Sequence, residues 1–404
     1  MSRPPMRPHL GWLIWILSLP ALLIHRCRID KSGAKGVKPP YLLLGNHNAF
    51  MDFKVASHAT WPYQANYVVA IDGFIKREWL LRLIGCICTR KFTTDTMLVR
   101  QLIRVVKMGG IPALYPEARY SLCGTTAVLP DSLGKLAKLL KVPVVVLLCH
   151  GHHINSPFYH LPDHGVRGTR AEMKEILTAE DVKTLSVAEI NSRIREAFVY
   201  DDFRWQQENH VRISYKDRAC GLHKVLYQCP NCGTEYEMST AGTKLSCGHC
   251  GKTWTLSEYG ELSADSGETE FSHVPDWYEW ERANVKKEVE EGRYFFESTV
   301  RVDALPNSSG YIDLGKAKLT HSQEGFTLKG SYEGEDYEVH IPVPDIYSCH
   351  IEYEYLGKFG DCIDLNIRDN TFYIYPEGRP FAVTKIALAT EELYDAYHRS
   401  RKKD

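Results

Sequence analysis

The sequence predicts an α/β fold, a mixed and largely parallel sheet flanked by helices, followed by a small cysteine-bearing ribbon and a barrel-like run of strands that ends in a helix. Three observations point there. Between residues 41 and 148 short apolar, β-branched runs alternate with helical stretches, as strands do when helices cover both faces of a sheet. Between residues 228 and 256 two Cys-x-x-Cys pairs stand fourteen residues apart. From 311 to 375, runs of period two are separated by turn residues, which reads as consecutive antiparallel strands.

Taken in order, residues 1–30 hold the apolar run LGWLIWILSLPALLI, with Arg3 and Arg7 before it and Arg26 and Arg28 after. At about 1.5 Å per residue this helix covers roughly 22 Å, short of the ~30 Å hydrocarbon core of a bilayer. It is expected to embed in a membrane surface more easily than to span it, and to anchor the protein at the cytoplasmic face. No A-x-A-like site follows it, which argues against a signal peptide.

Residues 31–220 carry the α/β domain. Strands are expected in YLLLG, YVVAI, IGCIC, IPALYP and VPVVVLL, and helices near 50–60, 75–83, 95–107 and 131–140. The charged stretch 171–212 has helical period and reads as one or two peripheral helices. Residues 221–262 form the ribbon. Residues 263–404 contain a Trp-rich segment, a helix at 283–292, strands in YIDLGKAKL, GFTLKGSY, DYEVHIPV, SCHIEYEYL, CIDLNI and TFYIYP, and a helix at 383–401. Antiparallel strands followed by one helix suggest a small barrel of the pleckstrin-homology type.

Composition narrows the functions. A net charge of −1 over 404 residues supplies no surplus of Lys and Arg for a phosphate backbone, so nucleic acid is not the expected partner. Of twelve cysteines, four form the two pairs and the rest are scattered through apolar segments, which favours a reducing cytosol. Cys229, Cys232, Cys247 and Cys250 have the spacing of a tetrathiolate zinc site, with a redox dithiol or an iron site as the alternatives. Four thiolates close the coordination sphere, so such a zinc is structural. Cys86 and Cys88 fall on one face of a strand and read as small core residues. His150, His152 and His153 in CHGHH resemble a metal cluster, but no acidic ligand stands beside them in the sequence, and they read as a loop or as support for a site elsewhere.

His47 follows the apolar strand YLLLG, where α/β proteins present functional side chains, and Asp52 opens the next helix. A five-residue turn can return the carboxylate to the imidazole. That pairing lets His take a proton from an alcohol while the carboxylate fixes its tautomer and stabilises the imidazolium. Downstream come Arg90 at a strand end, the block Tyr115-Pro116-Glu117-Ala118-Arg119-Tyr120-Ser121, and the strand that opens at Val142-Pro143.

These four blocks, in this order over residues 10–219, resemble the glycerol-phosphate and lysophospholipid acyltransferase family, typified by 1-acylglycerol-3-phosphate O-acyltransferases. The resemblance implies the acyltransferase fold, His47 as general base, Asp52 as its orienting partner, and acceptor binding by Arg90, Glu117, Arg119 and Ser121. It implies acyl-CoA or acyl-carrier protein as the donor, lysophosphatidic acid as the acceptor, and contact with membrane lipid. Where the family reads E-G-T-R-S this chain reads E-A-R-Y-S, so Ala118 replaces a glycine and Arg119 stands one place early. The altered block keeps another lysophospholipid or a glycolipid open as acceptor. A reading from a different class, a catalytically inactive zinc-and-barrel adaptor recruited to membranes, has the intact His47, Asp52 and Glu117 against it.

Overall fold

The computed structural model describes residues 4–93, 95–378 and 381–401. The chain divides into two compact units, Met1–Thr89 with Asp95–Ile213, and Arg90–Thr94 with Ser214–Asp404.

The first unit runs α1 (Gly11–Ile24), β1 (Arg28–Asp30), β2 (Leu42–Gly45), α2 (Met51–Ala59), β3 (Ala65–Ala70), α3 (Glu78–Leu83), β4 (Ile87–Thr89), α4 (Thr96–Lys107) and β5 (Ile111–Leu114). It continues with α5 (Ser132–Leu140), β6 (Val144–His150), α6 (His152–Asn155), β7 (Arg170–Leu177), α7 (Ala179–Thr184), α8 (Val187–Ala197) and α9 (Asp202–Glu208). Its seven strands are ordered β1-β7-β6-β2-β5-β3-β4. All neighbours are parallel except β6 and β7, so the mixed, parallel-rich sheet expected from the sequence is present.

Alternation along the central strands feeds two cores. Leu43, Val145 and Leu147 point to one face, where Val55, Ala56 and Ala59 of α2 cover them. Leu42, Leu44, Val144 and Val146 point to the other, against Leu102 and Val105 of α4, Leu133 and Ala137 of α5, and Ile190 and Ile194 of α8. Each large side chain so buried contributes about 1.5–3 kcal/mol. The continuously apolar strands of the sequence have this two-sided burial as their cause.

Two expectations are corrected. The stretch 170–177 is the strand β7, not a peripheral helix: Ala171, Met173 and Leu177 are buried, and it pairs with β6 on one side and β1 on the other. Charged residues between them occupy the outward positions and simulate a helical period.

The second correction concerns the membrane anchor. Among the described residues no helix is long and apolar enough to cross a membrane. Helix α1 has 14 residues, about 21 Å of rise, and it is docked on α2. His58 Nε2 donates to the Trp15 carbonyl at 2.9 Å, and the Trp15 ring stacks on His58 and Trp61, each at 5.0 Å. Placement at the cytoplasmic face of a membrane through this helix is therefore not supported.

The second unit contains a four-stranded antiparallel sheet of β8 (Met238–Ala241), β9 (Lys244–Cys247), β10 (Thr253–Leu256) and β11 (Leu262–Ala264). Helix α10 (Val274–Glu290) follows and begins earlier than expected, taking in Trp277 and Trp280. Then come β12 (Phe296–Ala304), β13 (Ile312–Ser322), β14 (Gly325–Tyr332), β15 (Glu335–Pro342), β16 (His350–Glu352), β17 (Cys362–Asn366), β18 (Thr371–Pro376) and α11 (Ala382–Arg401). These seven strands form an antiparallel sheet in the linear order β15-β14-β13-β12-β18-β17-β16, with β12, not among the period-two runs named from the sequence, at its centre. The small sheet is packed into this same unit: Trp254 meets Trp277 edge to face at 5.0 Å, and Trp277 Nε1 donates to the Gln228 carbonyl.

Candidate functional site

Strand β2 delivers residues 46–52 to the carboxyl end of the sheet, where ligands of open α/β sheets bind. Asn46 locks that end in place. Its amide donates to the Cys149 carbonyl at 2.8 Å and accepts from the Cys149 N–H at 2.7 Å, extending the β2–β6 ladder by a side chain. Gly45 is required just before it, because a Cβ there would stand 2.9 Å from the Tyr115 ring.

His47 is held from every side but one. Its N–H donates to Glu117 Oε2 at 2.8 Å, and its carbonyl accepts from the Ser121 N–H at 2.8 Å, so the turn after β5 grips the peptide at both polar groups. Its imidazole lies between the rings of Tyr115 and Tyr120, with centroids 4.3 and 4.2 Å away. Nδ1 is buried and faces Asp52 Oδ2 at 3.7 Å. The side chain is nevertheless 21% exposed, so the remainder of the ring is reachable. A closure of about 0.8 Å brings Nδ1 and the carboxylate to hydrogen-bonding distance, the kind of tightening that substrate binding produces.

Asp52 sits in the first turn of α2 with no exposed surface. Its Oδ2 accepts the N–H groups of Asn48 at 2.5 Å and Ala49 at 2.8 Å, and its Oδ1 is 2.5 Å from His152 Nδ1. Burial alone would push the carboxyl up. Hydrogen bonds and charge from His152, with His47 adding to them, bring it down to about 2. Asp52 is thus an anion across the neutral range, as an orienting partner must be.

The structure brings Glu117 and Ser121 onto His47 but commits Glu117 to the chain itself. Oε2 takes the His47 N–H, and Oε1 takes the Ala127 N–H at 2.7 Å and the Tyr200 hydroxyl at 2.8 Å. Burial pushes this carboxyl up to about 7 against the pull of those donors and of Arg119. Ser121 Oγ donates to the Thr125 carbonyl. Arg119 is buried in the same turn. Ala118, where the resembled pattern has glycine, adopts φ +55°, a backbone conformation that glycine reaches without strain.

Arg90 is placed elsewhere. It belongs to the second unit, where its guanidinium donates to the carbonyls of Leu305, Pro306 and Asp369 and to the Thr371 hydroxyl. Cys86 is buried and Cys88 half-buried, both against the apolar core of the first unit.

Sequence reasoning missed Asn46, Tyr115, Tyr120, Tyr200, Asp202 and the part played by His152. Asp202, fully buried at the start of α9, accepts from the His153 N–H at 2.9 Å and is pushed up to about 7 by burial. The available signal was the position of CHGHH after the apolar strand β6, the direct neighbour of β2.

In the second unit Cys229, Cys232, Cys247 and Cys250 converge. Sulfur separations of 3.7 Å (Cys229 to Cys250) and 3.8 Å (Cys232 to Cys247) are those of a tetrahedron whose centre lies about 2.3 Å from each sulfur. The four thiolates can hold a zinc ion.

No family model matches the chain, and no curated protein matches it. Among solved structures the chain is similar to the crystal structure of the 1-acyl-sn-glycerophosphate (LPA) acyltransferase PlsC from Thermotoga maritima. The identity is 15% and the TM-score 0.39, over 47% of this chain and 76% of that one. The likeness is partial and distant.

Proposed function

We propose that this chain is an O-acyltransferase that moves a fatty acyl group from a thioester, acyl-CoA or acyl-carrier protein, to the free hydroxyl of a lysophosphatidic-acid-like acceptor. The observation that carries this reading is His47: a peptide gripped at both ends, a ring clamped between two tyrosines, a buried carboxylate behind Nδ1 and an accessible opposite edge. That arrangement suits a base for an external hydroxyl.

The imidazole takes the hydroxyl proton as the oxygen attacks the thioester carbonyl. Asp52 stabilises the imidazolium so formed, and the proton passes to the thiolate as the carbon–sulfur bond breaks. We assign Glu117 and Ser121 to positioning His47, and the acceptor's phosphate to Arg119, whose fork of donors suits a phosphate. Zinc on the four thiolates is structural and takes no part in the transfer.

The test offers one labelled acyl-CoA to the purified full chain with lysophosphatidic acid, other lysophospholipids and a glycolipid as acceptors. Acyl transfer to lysophosphatidic acid is expected, and His47→Ala should lower kcat by about 10³-fold with an unchanged melting temperature. Near-normal turnover in that variant removes the mechanism, and transfer to none of the acceptors removes the reaction.

A further inference from the structure

Asp52 carries a second imidazole. Strand β6 ends beside β2, Gly151 turns the chain with φ +85°, and His152 then projects onto Asp52. Both side chains are 1% exposed, and Nδ1 lies 2.5 Å from Oδ1. The carboxylate therefore divides its oxygens: Oδ1 serves His152, while Oδ2 faces His47 and takes two backbone N–H groups.

Asp52, His152 and Cys149 lie close enough together to suggest a metal site. The 2.5 Å separation argues otherwise. Two ligand atoms on one tetrahedral ion at about 2.0–2.1 Å stand more than about 3.2 Å apart, whereas 2.5 Å is the length of a short hydrogen bond to a charged partner. What the two groups share is a proton, and since an ionised carboxylate only accepts, His152 Nδ1 donates it.

We propose that His152 is a positioning residue of this site: its imidazolium shares the Asp52 carboxylate with His47, fixes the carboxylate's orientation and offsets its charge, and so sets the pH above which His47 can act as a base. Burial disfavours a charged His152, but the Asp52 contact outweighs it and holds the group protonated well above the usual histidine range. Besides His47, the groups facing the pair are Cys27 ahead of β1, Cys149 and His150 of β6, His153 of α6, Tyr115 and Asp202. Burial keeps Cys149 a thiol and His150 and His153 uncharged; Asp202, and Glu117 on the His47 peptide, are both pushed up to about 7, and both are retained in every variant below.

The sign follows from charge. A cation on the far side of Asp52 disfavours a second cation at His47, so removing it favours the His47 imidazolium and delays its availability as a base to higher pH. His152→Asn keeps a donor near the Nδ1 position without the charge, and His152→Ala removes both.

The kinetic arm rests on the acyl-transfer reading. In the full chain, His152→Asn should move the ascending limb of the kcat/KM profile up by about one pH unit, with the acceptor KM within about twofold. His152→Ala should in addition lower the plateau by about tenfold or more, as the carboxylate loses its anchor. The second arm needs no turnover: in ¹⁵N-histidine spectra of the wild-type protein at pH 7.5, His152 should be doubly protonated with a far-downfield Nδ1 proton. A neutral His152 there, or a rate profile unmoved in a folded His152→Asn, overturns the proposal. If no thioester donor supports transfer at all, the functional reading fails, and the spectrum still decides the state of His152.

Discussion

The two units bury charge for opposite ends. In the second, the buried polar groups close on one another: Arg90 donates to four acceptors, Arg282 is paired with Glu391 and Glu392, and four thiols converge on one point. In the first, Asn46 fixes the strand end before His47, Glu117 and Ser121 hold its peptide, and Asp52, itself paired with His152, stands behind an imidazole that keeps an exposed edge. The desolvation cost of these buried groups is offset by their partners in both units. In the first, these partners leave the His47 imidazole with an open edge, and that incompleteness is what marks a site.

The largest effect is expected at the cysteines. The purified chain should hold about one zinc ion, and stripping it with a strong chelator, or changing Cys229→Ser, should remove on the order of 10 kcal/mol of metal-linked folding free energy. Calorimetry should place the loss in the second unit. A metal-free preparation with a melting temperature indifferent to chelator contradicts this.

A smaller effect comes from the first unit's incompletely ionised carboxyls. Glu117 and Asp202 both stand near 7 in the folded state, above the ordinary unfolded carboxylate value. The folded protein therefore binds more protons between about pH 4.5 and 7, and their contribution is complete below that window and lost as pH rises through it. Stability should fall by up to roughly 3 kcal/mol per group on going from pH 5 to 8. Glu117→Gln should flatten that slope by about half and reduce turnover, because an amide presents a donor where three donors already point. An unchanged slope in denaturant titrations argues against the assignment.

The smallest effect sharpens the same turn. Ala118 sits at φ +55°, so Ala118→Gly should stabilise the first unit by about 0.5 kcal/mol, the relief of left-handed strain less the entropy glycine adds to the unfolded chain. Destabilisation would show that the methyl group packs usefully.

How far each element was legible tracks the distance over which its partners lie. The strands YLLLG and VPVVVLL were evident because two-sided burial leaves an uninterrupted apolar run. GFTLKGSY and TFYIYP matched β14 and β18 because period-two alternation is a local signal. The stretch 170–177 was misread because its polar face carries charges that also suit a helix, and only pairing with β6 and β1 decides it. His47 and Asp52, five residues apart, were found together. His152 lies 100 residues from Asp52, and the acceptors of Arg90 lie more than 200 residues away.

What the sequence alone determined is thus the set of local devices: a histidine at the end of a buried strand with a carboxylate one turn on, two thiol knuckles, and the alternation that separates a parallel-rich sheet from an antiparallel one. Tertiary structure decided the duties of the groups around them. It turned Glu117 inward to hold His47, gave Arg90 to the other unit, set a second imidazole on Asp52 and seated α1 against α2. The physical reason is that periodicity and capping act over a few residues, whereas the satisfaction of a buried charge is settled by whichever distant backbone or side chain the packed sheet brings within about 3 Å.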